Sequence, residues 1–315
     1  MKTILGTMTF SDQVDQQSAG SMIKAAKLAG VNELDTAFVY NKGKTETLLG
    51  QINQSAVLEG TFIAGKANPK AEQGLTPESV RLQLDTSLSR LNMTSFDLYY
   101  LHAPDLSVPI RDTLACINEQ HQAGKFQRFG LSNYAAWQVA EIVEICRQEG
   151  WVTPSVYQGM YNALTRDIER ELLPCLANYK ICFYVYNPLA GGLLTGKHQS
   201  VDSLPNEGRF ATFDGYQARY WKPEYFDVIN QLSEQCRAQE IAPAAAALRW
   251  LTHHSALSQG NSKEDHGIIL GASSIEHLQQ NLQAMNDKPL PQILVDAFDT
   301  GWDEVRPACI KYFRP

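Results

Sequence analysis

Short apolar or β-branched runs alternate with amphipathic segments along the whole chain. The runs fall at Ile4–Gly6, Glu33–Asp35, Thr61–Lys66, Phe96–His102, Phe126–Ser132, Val156–Gly159, Cys182–Asn187 and Gly267–Ala272, each bounded by turn or polar residues. Runs this short, and apolar with little strict alternation, are what strands covered on both faces of a parallel sheet look like. Between them apolar residues recur at helical spacing. Ala19, Met22, Ile23, Ala26 and Leu28 do so within Asp15–Ala29, and Val80, Leu84, Leu88 and Leu91 follow Thr76-Pro77-Glu78. That tripeptide offers a hydroxyl N-cap and then a proline at the first helical position. Val108–Ala123, Ala135–Glu149, Asp167–Tyr179 and Ile275–Met285 repeat the pattern, and Gly30, Gly124 and Gly150 stand where a left-handed helix stop is wanted.

Eight strand–helix units in this order predict an α/β fold of the (β/α)8 TIM-barrel type, one domain over residues 1–315. A doubly wound sheet would carry a glycine-rich phosphate turn after its first strand, and Ile4-Leu5-Gly6-Thr7-Met8-Thr9-Phe10 has no GxGxxG. Gln199–Lys222 is irregular and rich in glycine, proline and aromatics. It reads as a long loop on the C-terminal face, after strand seven, serving as a lid. Ile293–Tyr312 reads as an extra C-terminal helix outside the repeat.

Composition narrows the function. Apolar residues make up 44% of the chain, enough for a full core, and a net charge of −7 argues against a nucleic-acid partner. The six cysteines are scattered without a CxxC pair, so they read as reduced thiols. After Met1–Leu5 the sequence turns polar without a signal-peptide apolar region, and no stretch approaches the ~18 apolar residues of a membrane span. The expected setting is cytoplasmic, with no membrane partner.

Barrel active sites form at the C-terminal ends of the strands. Reading those ends gives Asp35 and, five residues on, Tyr40 after strand two, Lys66 at the end of strand three and His102 at the end of strand four. Taken singly, such an Asp caps a helix, the Tyr packs, the Lys is solvated and the His beside a proline is structural. On three consecutive strands they become a shared proton-handling site. His253-His254 is no metal site, since adjacent helical residues point about 100° apart and no Cys or acidic partner sits at ligand spacing. Metal ligands are expected to be none.

Longer motifs carry a resemblance. They are Leu34-Asp35-Thr36-Ala37-Phe38-Val39-Tyr40, Ile63-Ala64-Gly65-Lys66-Ala67-Asn68, Tyr100-Leu101-His102-Ala103-Pro104-Asp105, Gly130-Leu131-Ser132-Asn133-Tyr134, the run Gln158 to Arg166, the run Tyr186 to Lys197, and the closing Lys311-Tyr312-Phe313-Arg314. Through these, over essentially its whole length, the chain resembles the aldo-keto reductase superfamily, and within it the aflatoxin-aldehyde and succinic-semialdehyde reductase branch. The resemblance implies an oxidoreductase that reduces aldehydes and some ketones with hydride from NADPH. It makes Tyr40 the proton donor and His102 the group that aims the carbonyl. A free tyrosine, with pKa near ~10, is a reluctant donor; Lys66 is expected to lower that value, with Asp35 holding Lys66 charged.

The same resemblance assigns the cofactor site. Ser132, Asn133 and Gln158 match residues that grip the nicotinamide carboxamide, and Tyr186 matches the aromatic stacked on its ring. Asn187, Pro188, Leu189, Gly191, Leu193 and Lys197 fall in the segment that wraps the pyrophosphate, with Arg209 as a further contact. Read alone, Gly191 to Lys197 is a near miss to a P-loop, but His198 stands where Ser or Thr would hold magnesium, so a nucleotide triphosphatase is rejected. Gly271, Ser273, Ser274, Gln280 and Asn281 match the adenosine 2′-phosphate region, which favours NADPH over NADH. For substrate, Tyr40, His102, Arg219, Trp221 and Arg314 are the expected contacts, with Phe38 and Tyr220 as further apolar walls. The two arginines suit a carboxylate, so succinic semialdehyde, aromatic aldehydes and dialdehydes are the expected substrates. Relatives in this branch are often dimers, so a homodimer is the expected assembly. The alternative is an NADP-binding regulatory module of the kind seen in potassium-channel β-subunits, which share the barrel; those carry an added N-terminal segment, whereas this chain enters strand one by Ile4.

Overall fold

A computed structural model describes residues 1–212, 214–259 and 265–314. Eight parallel strands close into a barrel in sequence order. They are β1 (Lys2–Gly6), β2 (Glu33–Asp35), β3 (Phe62–Ala67), β4 (Phe96–Leu101), β5 (Phe126–Ser132), β6 (Pro154–Met160), β7 (Cys182–Tyr186) and β8 (Gly267–Gly271). Closure is carried by β1 against β8, in register from Lys2↔Gly267 to Gly6↔Gly271. The predicted runs locate all of them; β1 and β6 each begin two residues earlier than predicted.

Around the barrel lie α1 (Gln16–Leu28), α2 (Lys44–Asn53), α3 (Pro77–Leu91), α4 (Ile110–Gln122), α5 (Ala136–Glu149) and α6 (Leu172–Tyr179). Then come α7 (Arg209–Thr212), α8 (Asp214–Tyr220), α9 (Pro223–Ala238), α10 (Pro243–His253), α11 (Ile275–Asn286) and α12 (Gln292–Val305). Their ends follow local chemistry. Thr76 caps α3 by accepting from Ser79 N at 3.3 Å, and Gly30, Gly124 and Gly150 stop helices at φ 82°, 74° and 65°, backbone a side chain would strain.

Three expectations change. The Asp167–Tyr179 helix breaks into a short 3-10 turn at Asp167–Glu169 and then α6, because the Pro174 ring clashes with any helical continuation through the turn before it. The last helix stops at Val305 rather than Tyr312, with Pro307 inside the 3-10 turn that ends it. The segment 199–222 is not simply a loop, since it carries α7 and α8, although Phe213 within it lies outside the described residues.

Two apolar layers result. Ile4, Ala64, Leu98, Tyr100, Val156, Tyr184 and Ile269 fill the barrel interior, while the larger layer lies between strands and helices. The interior packing fills the barrel below the strands' C-terminal ends, which leaves the site to form at that face. Among the described residues no helix is long and apolar enough to cross a membrane.

Candidate active site

The two-strand register brings the site together before any side chain is considered. Gly6 pairs with Asp35, Asp35 with Ala64 and Lys66 with Tyr100, while His102 N–H donates to Ala67 O at 3.0 Å just past β4. Asp35 and Lys66 are 2% and 0% exposed. The Lys66 ammonium has three protons and three acceptors: Asp35 Oδ1 at 2.5 Å, Thr36 O at 2.7 Å and Tyr40 Oη at 3.3 Å. Because the phenol oxygen accepts from Lys66, its own proton is left to point elsewhere.

Tyr40 is held by a turn with left-handed Asn41 and Lys42, φ 47° and 57°. Asn41 locks that turn by donating to Met8 O at 3.1 Å and Phe10 O at 2.7 Å, tying the loop after β2 to the loop after β1. From outside, Arg90 donates to buried Glu46 at 3.0 Å and stacks on the Phe38 ring at 4.7 Å. The ring planes of Tyr40 and His102 meet edge-on, with centroids 6.1 Å apart.

The electrostatics differ from the expectation in one respect. Tyr40 faces a cavity, yet the protein around it desolvates the phenolate; that burial, with Asp35 adding to it, holds the phenol well above its ordinary range. The Lys66 proton aimed at its oxygen works in the opposite sense without reversing the shift. The expected lowering of Tyr40 is therefore not found in the protein alone. Burial also pulls the Lys66 ammonium below its usual value, with Asp35 pulling it back. For His102, burial and then the nearby charges of Lys66 and Arg314 push the imidazole well below its usual range, so it is neutral at neutral pH.

Two joined cavities open over these groups. The smaller, of about 470 Å³, is lined by Asp35, Tyr40, His102, Ser132, Asn133, Gln158 and Tyr186, and also by Arg219 and Arg314. The larger, of about 720 Å³, is lined by Leu189, Gly191, Lys197, Ser273, Gln280 and Asn281. Asn187, Pro188, Arg209 and Gly271 line both. An elongated anionic dinucleotide fits such a channel. Asn187 Nδ2 is buried on the shared wall with no partner among the described residues, and Gly191 and Gly192, at φ 71° and 110°, keep the backbone of the larger cavity bare of side chains.

Several predicted contacts are placed elsewhere. Leu193 is fully buried in the apolar core and off the cavity wall. The Ser274 hydroxyl caps α11 by accepting from His277 N at 3.2 Å. The Trp221 indole donates to Val201 O at 2.7 Å and packs on Phe210 and Phe226, so it braces the segment and does not line the substrate cavity. Phe38 serves Arg90, and Tyr220 is buried with its hydroxyl 3.0 Å from Met160 Sδ. Gln158 and Asn133 are on the wall but already employed. Gln158 Nε2 donates to Asp35 Oδ2 at 2.7 Å. Asn133 donates to His102 O at 2.8 Å and accepts from Tyr186 Oη at 2.7 Å.

The sequence reading omitted other wall residues: Thr9 and Gln13 after β1, and Asn68, Pro69 and Lys70 after β3. The signal for these five was present, since all follow strand C-terminal ends. His253 and His254 each meet backbone groups, Asp287 O at 2.8 Å and Leu290 N at 3.0 Å.

Comparison with known proteins agrees with this geometry. The family model described as "Aldo/keto reductase family" matches residues 2–302. An "Aflatoxin B1 aldehyde reductase member 2" from Rattus norvegicus is 46% identical over 323 residues, covering 99% of this chain and 87% of the relative. The human protein of the same name is 45% identical, covering 99% and 89%. A human "Aldo-keto reductase family 7 member A3" is 44% identical, covering 99% and 97%. A closed (β/α)8 barrel, a buried Asp–Lys pair aimed at a tyrosine, and a family match over nearly the whole length lead to one statement: the chain belongs to the aldo/keto reductase family and is an oxidoreductase.

Proposed function

We propose that this reductase converts aldehydes to alcohols with NADPH, Tyr40 giving the proton, and that it favours short aldehydes bearing a carboxylate, succinic semialdehyde being the model. One observation carries the reaction: the Lys66 ammonium, fixed by Asp35 and Thr36 O, directs its third proton to Tyr40 Oη at 3.3 Å. The phenol proton is then available to a carbonyl oxygen in the cavity. Tyr186, Lys197 and Arg209, on the walls of the two cavities, are among the residues that would hold NADPH, which when bound would supply the hydride. Neutral His102 donates one N–H to the carbonyl oxygen and meets the negative charge that develops there. Asp35 keeps Lys66 in place, and Gln158 keeps Asp35 in place.

Support for the substrate class is that Arg219 and Arg314 line the same cavity as Tyr40 and His102. A guanidinium pairs with a carboxylate through two parallel bonds, a match an uncharged aldehyde lacks. Support for NADPH is the set Ser273, Gln280 and Asn281 around the start of α11. The relatives are named for aldehyde reduction.

The test follows NADPH absorbance with succinic semialdehyde and 4-nitrobenzaldehyde. Tight NADPH binding with no turnover of either would refute the catalytic reading. Arg219→Ala is expected to raise KM for succinic semialdehyde by about 10–100-fold, the worth of a hydrogen bond to a charged group, and to spare the nitrobenzaldehyde. Equal effects on both would remove Arg219 from carboxylate recognition. Equal kcat/KM with NADH would remove the 2′-phosphate assignment.

A further inference from the structure

Beyond Cys309 the chain leaves helical structure and runs as an irregular strap to Arg314, whose side chain lines the substrate cavity. An irregular segment of this kind frays unless something ties it down. Here three hydrogen bonds do so. Arg314 N–H donates to Asn133 O at 2.9 Å. Two residues earlier, the Tyr312 hydroxyl accepts from the Ala136 N–H at 3.1 Å and donates to Glu171 Oε2 at 3.1 Å.

The donor is informative. Ala136 is the first residue of α5, so its N–H belongs to the set that a helix cannot satisfy internally. Ala135, the N-cap, offers no side-chain oxygen; its own N–H goes to Gln138 Oε1 at 2.9 Å. The Tyr312 hydroxyl, from a residue 176 positions away, supplies the missing acceptor. With Tyr312 only 8% exposed, water is a poor substitute for it. The strap and α5 therefore complete each other. Asn133, which holds the strap's end, also holds the His102 carbonyl and the Tyr186 hydroxyl, so Arg314 is anchored to the residue that fixes the catalytic histidine.

We propose that Tyr312 is a specificity-determining positioning residue: its hydroxyl latches the C-terminal strap to α5 so that Arg314 faces the substrate cavity. The proposal rests on the carboxylate-binding reading of Arg314. Tyr312 touches neither substrate nor cofactor cavity, and it acts only through where it places the guanidinium two residues on.

Tyr312→Phe keeps the ring and its packing and removes only the oxygen. KM for succinic semialdehyde is expected to rise about tenfold, in the range of a lost hydrogen bond to a charged group. Its kcat, both constants for 4-nitrobenzaldehyde, and NADPH affinity are expected to stay within about twofold of native, the scale of a surface change. Hydrogen exchange at the Ala136 amide, measured on the same variant, is expected to accelerate at least tenfold, which reads the latch independently of turnover. A general packing defect would instead move both substrates together. Arg314→Gln separates the two levels. If it raises KM selectively for the semialdehyde while Tyr312→Phe does not, the latch is wrong and the carboxylate reading stands. If Arg314→Gln shows no selectivity, both fall. If Tyr312→Phe shifts the two aldehydes equally, or leaves Ala136 exchange unchanged, the latch is refuted.

Discussion

Asp35→Asn tests the electrostatic core of the site, because it removes one charge and little volume. In the native protein Lys66 Nζ lies 2.5 Å from Asp35 Oδ1, with side chains 0% and 3% exposed. Removing one partner of such a pair costs about 3–5 kcal/mol. Gln158, which donates to the other carboxylate oxygen at 2.7 Å, must also turn over to avoid meeting a second donor. Lys66 has one way to relieve the loss, which is to give up its proton. Burial already pulls its ammonium below the usual range, and Asp35 is the strongest influence pulling it back.

The pH dependence follows with a definite sign. Without Asp35 the folded variant holds Lys66 as an amine at neutral pH, whereas the unfolded chain keeps it protonated to about pH 10.4. The unfolded state then binds the extra proton, so stability rises with pH by up to about 1.4 kcal/mol per unit. In the native protein the same window exists but begins higher, because Asp35 keeps the folded ammonium charged longer. Urea unfolding of both proteins at pH 7, 8 and 9 is the assay. The destabilisation of the variant is expected to shrink across that range, by at most about 2–3 kcal/mol, other groups cancelling in the difference. In parallel kcat falls by about 10²–10⁴, since an uncharged amine no longer favours the phenolate. A gap that stays constant or widens with pH would refute the claim that Asp35 is what keeps Lys66 charged.

Other outcomes follow from the same geometry. Tyr40→Phe should lose about 10²–10⁴ in kcat for reduction while NADPH titrates with unchanged Kd; unchanged kcat would remove Tyr40 from proton donation. Since burial holds His102 neutral, kcat/KM for 4-nitrobenzaldehyde should be flat from about pH 6 to 8; a step near about pH 6.5 that disappears in His102→Gln would contradict this. Arg166 donates to Ala163 O, Asp299 and Phe298 O and stacks on Trp250 at 4.1 Å. Arg166→Met should therefore lower thermal stability by about 1–3 kcal/mol for each of the two backbone carbonyls left without its donor, with NADPH affinity retained in the folded fraction, as calorimetry and titration would show.

The strands and the reactive groups were legible for related reasons. A buried parallel strand is a short apolar run, and the fold places chemistry where such runs end, so Asp35, Lys66 and His102 could be read from position alone. Tyr40 was read with them although it lies five residues past its strand in a left-handed turn; only its role as proton donor needed the family pattern. What supports these groups was not legible. Asn41 reaching the loop after β1, Gln158 reaching Asp35 across 123 positions, and Tyr312 capping α5 all depend on which chain ends meet when the barrel closes. Trp221 and Ser274 show the converse. Their residue types suited a ligand, but Val201 O and the first turn of α11 claimed them first. The helices α9 and α10 also went unpredicted, lying in the long interval between β7 and β8 where no strand marks the rhythm.

The direction of Tyr40's shift bears on how the proposed reaction would run. One cause, burial, favours the neutral form of Tyr40 and His102, which face the cavity, and of Lys66 behind them: it raises Tyr40, lowers His102 and lowers Lys66. Only Lys66 resists, because Asp35 is bonded to it. Before reaction, then, the proton is held firmly on the phenol, and an activated phenolate is not waiting there. What changes as hydride reaches the carbonyl carbon is the charge on its oxygen. That developing anion lies where the His102 N–H and the Tyr40 O–H can both point, and each hydrogen bond strengthens as the charge grows. The proton leaves Tyr40 as the oxyanion forms, and the phenolate left behind is met at 3.3 Å by the ammonium already aimed at it. A tyrosine made acidic in the free protein would spend that stabilisation before the substrate arrived. A tyrosine held neutral by burial, beside a lysine held charged by Asp35, keeps it for the transition state.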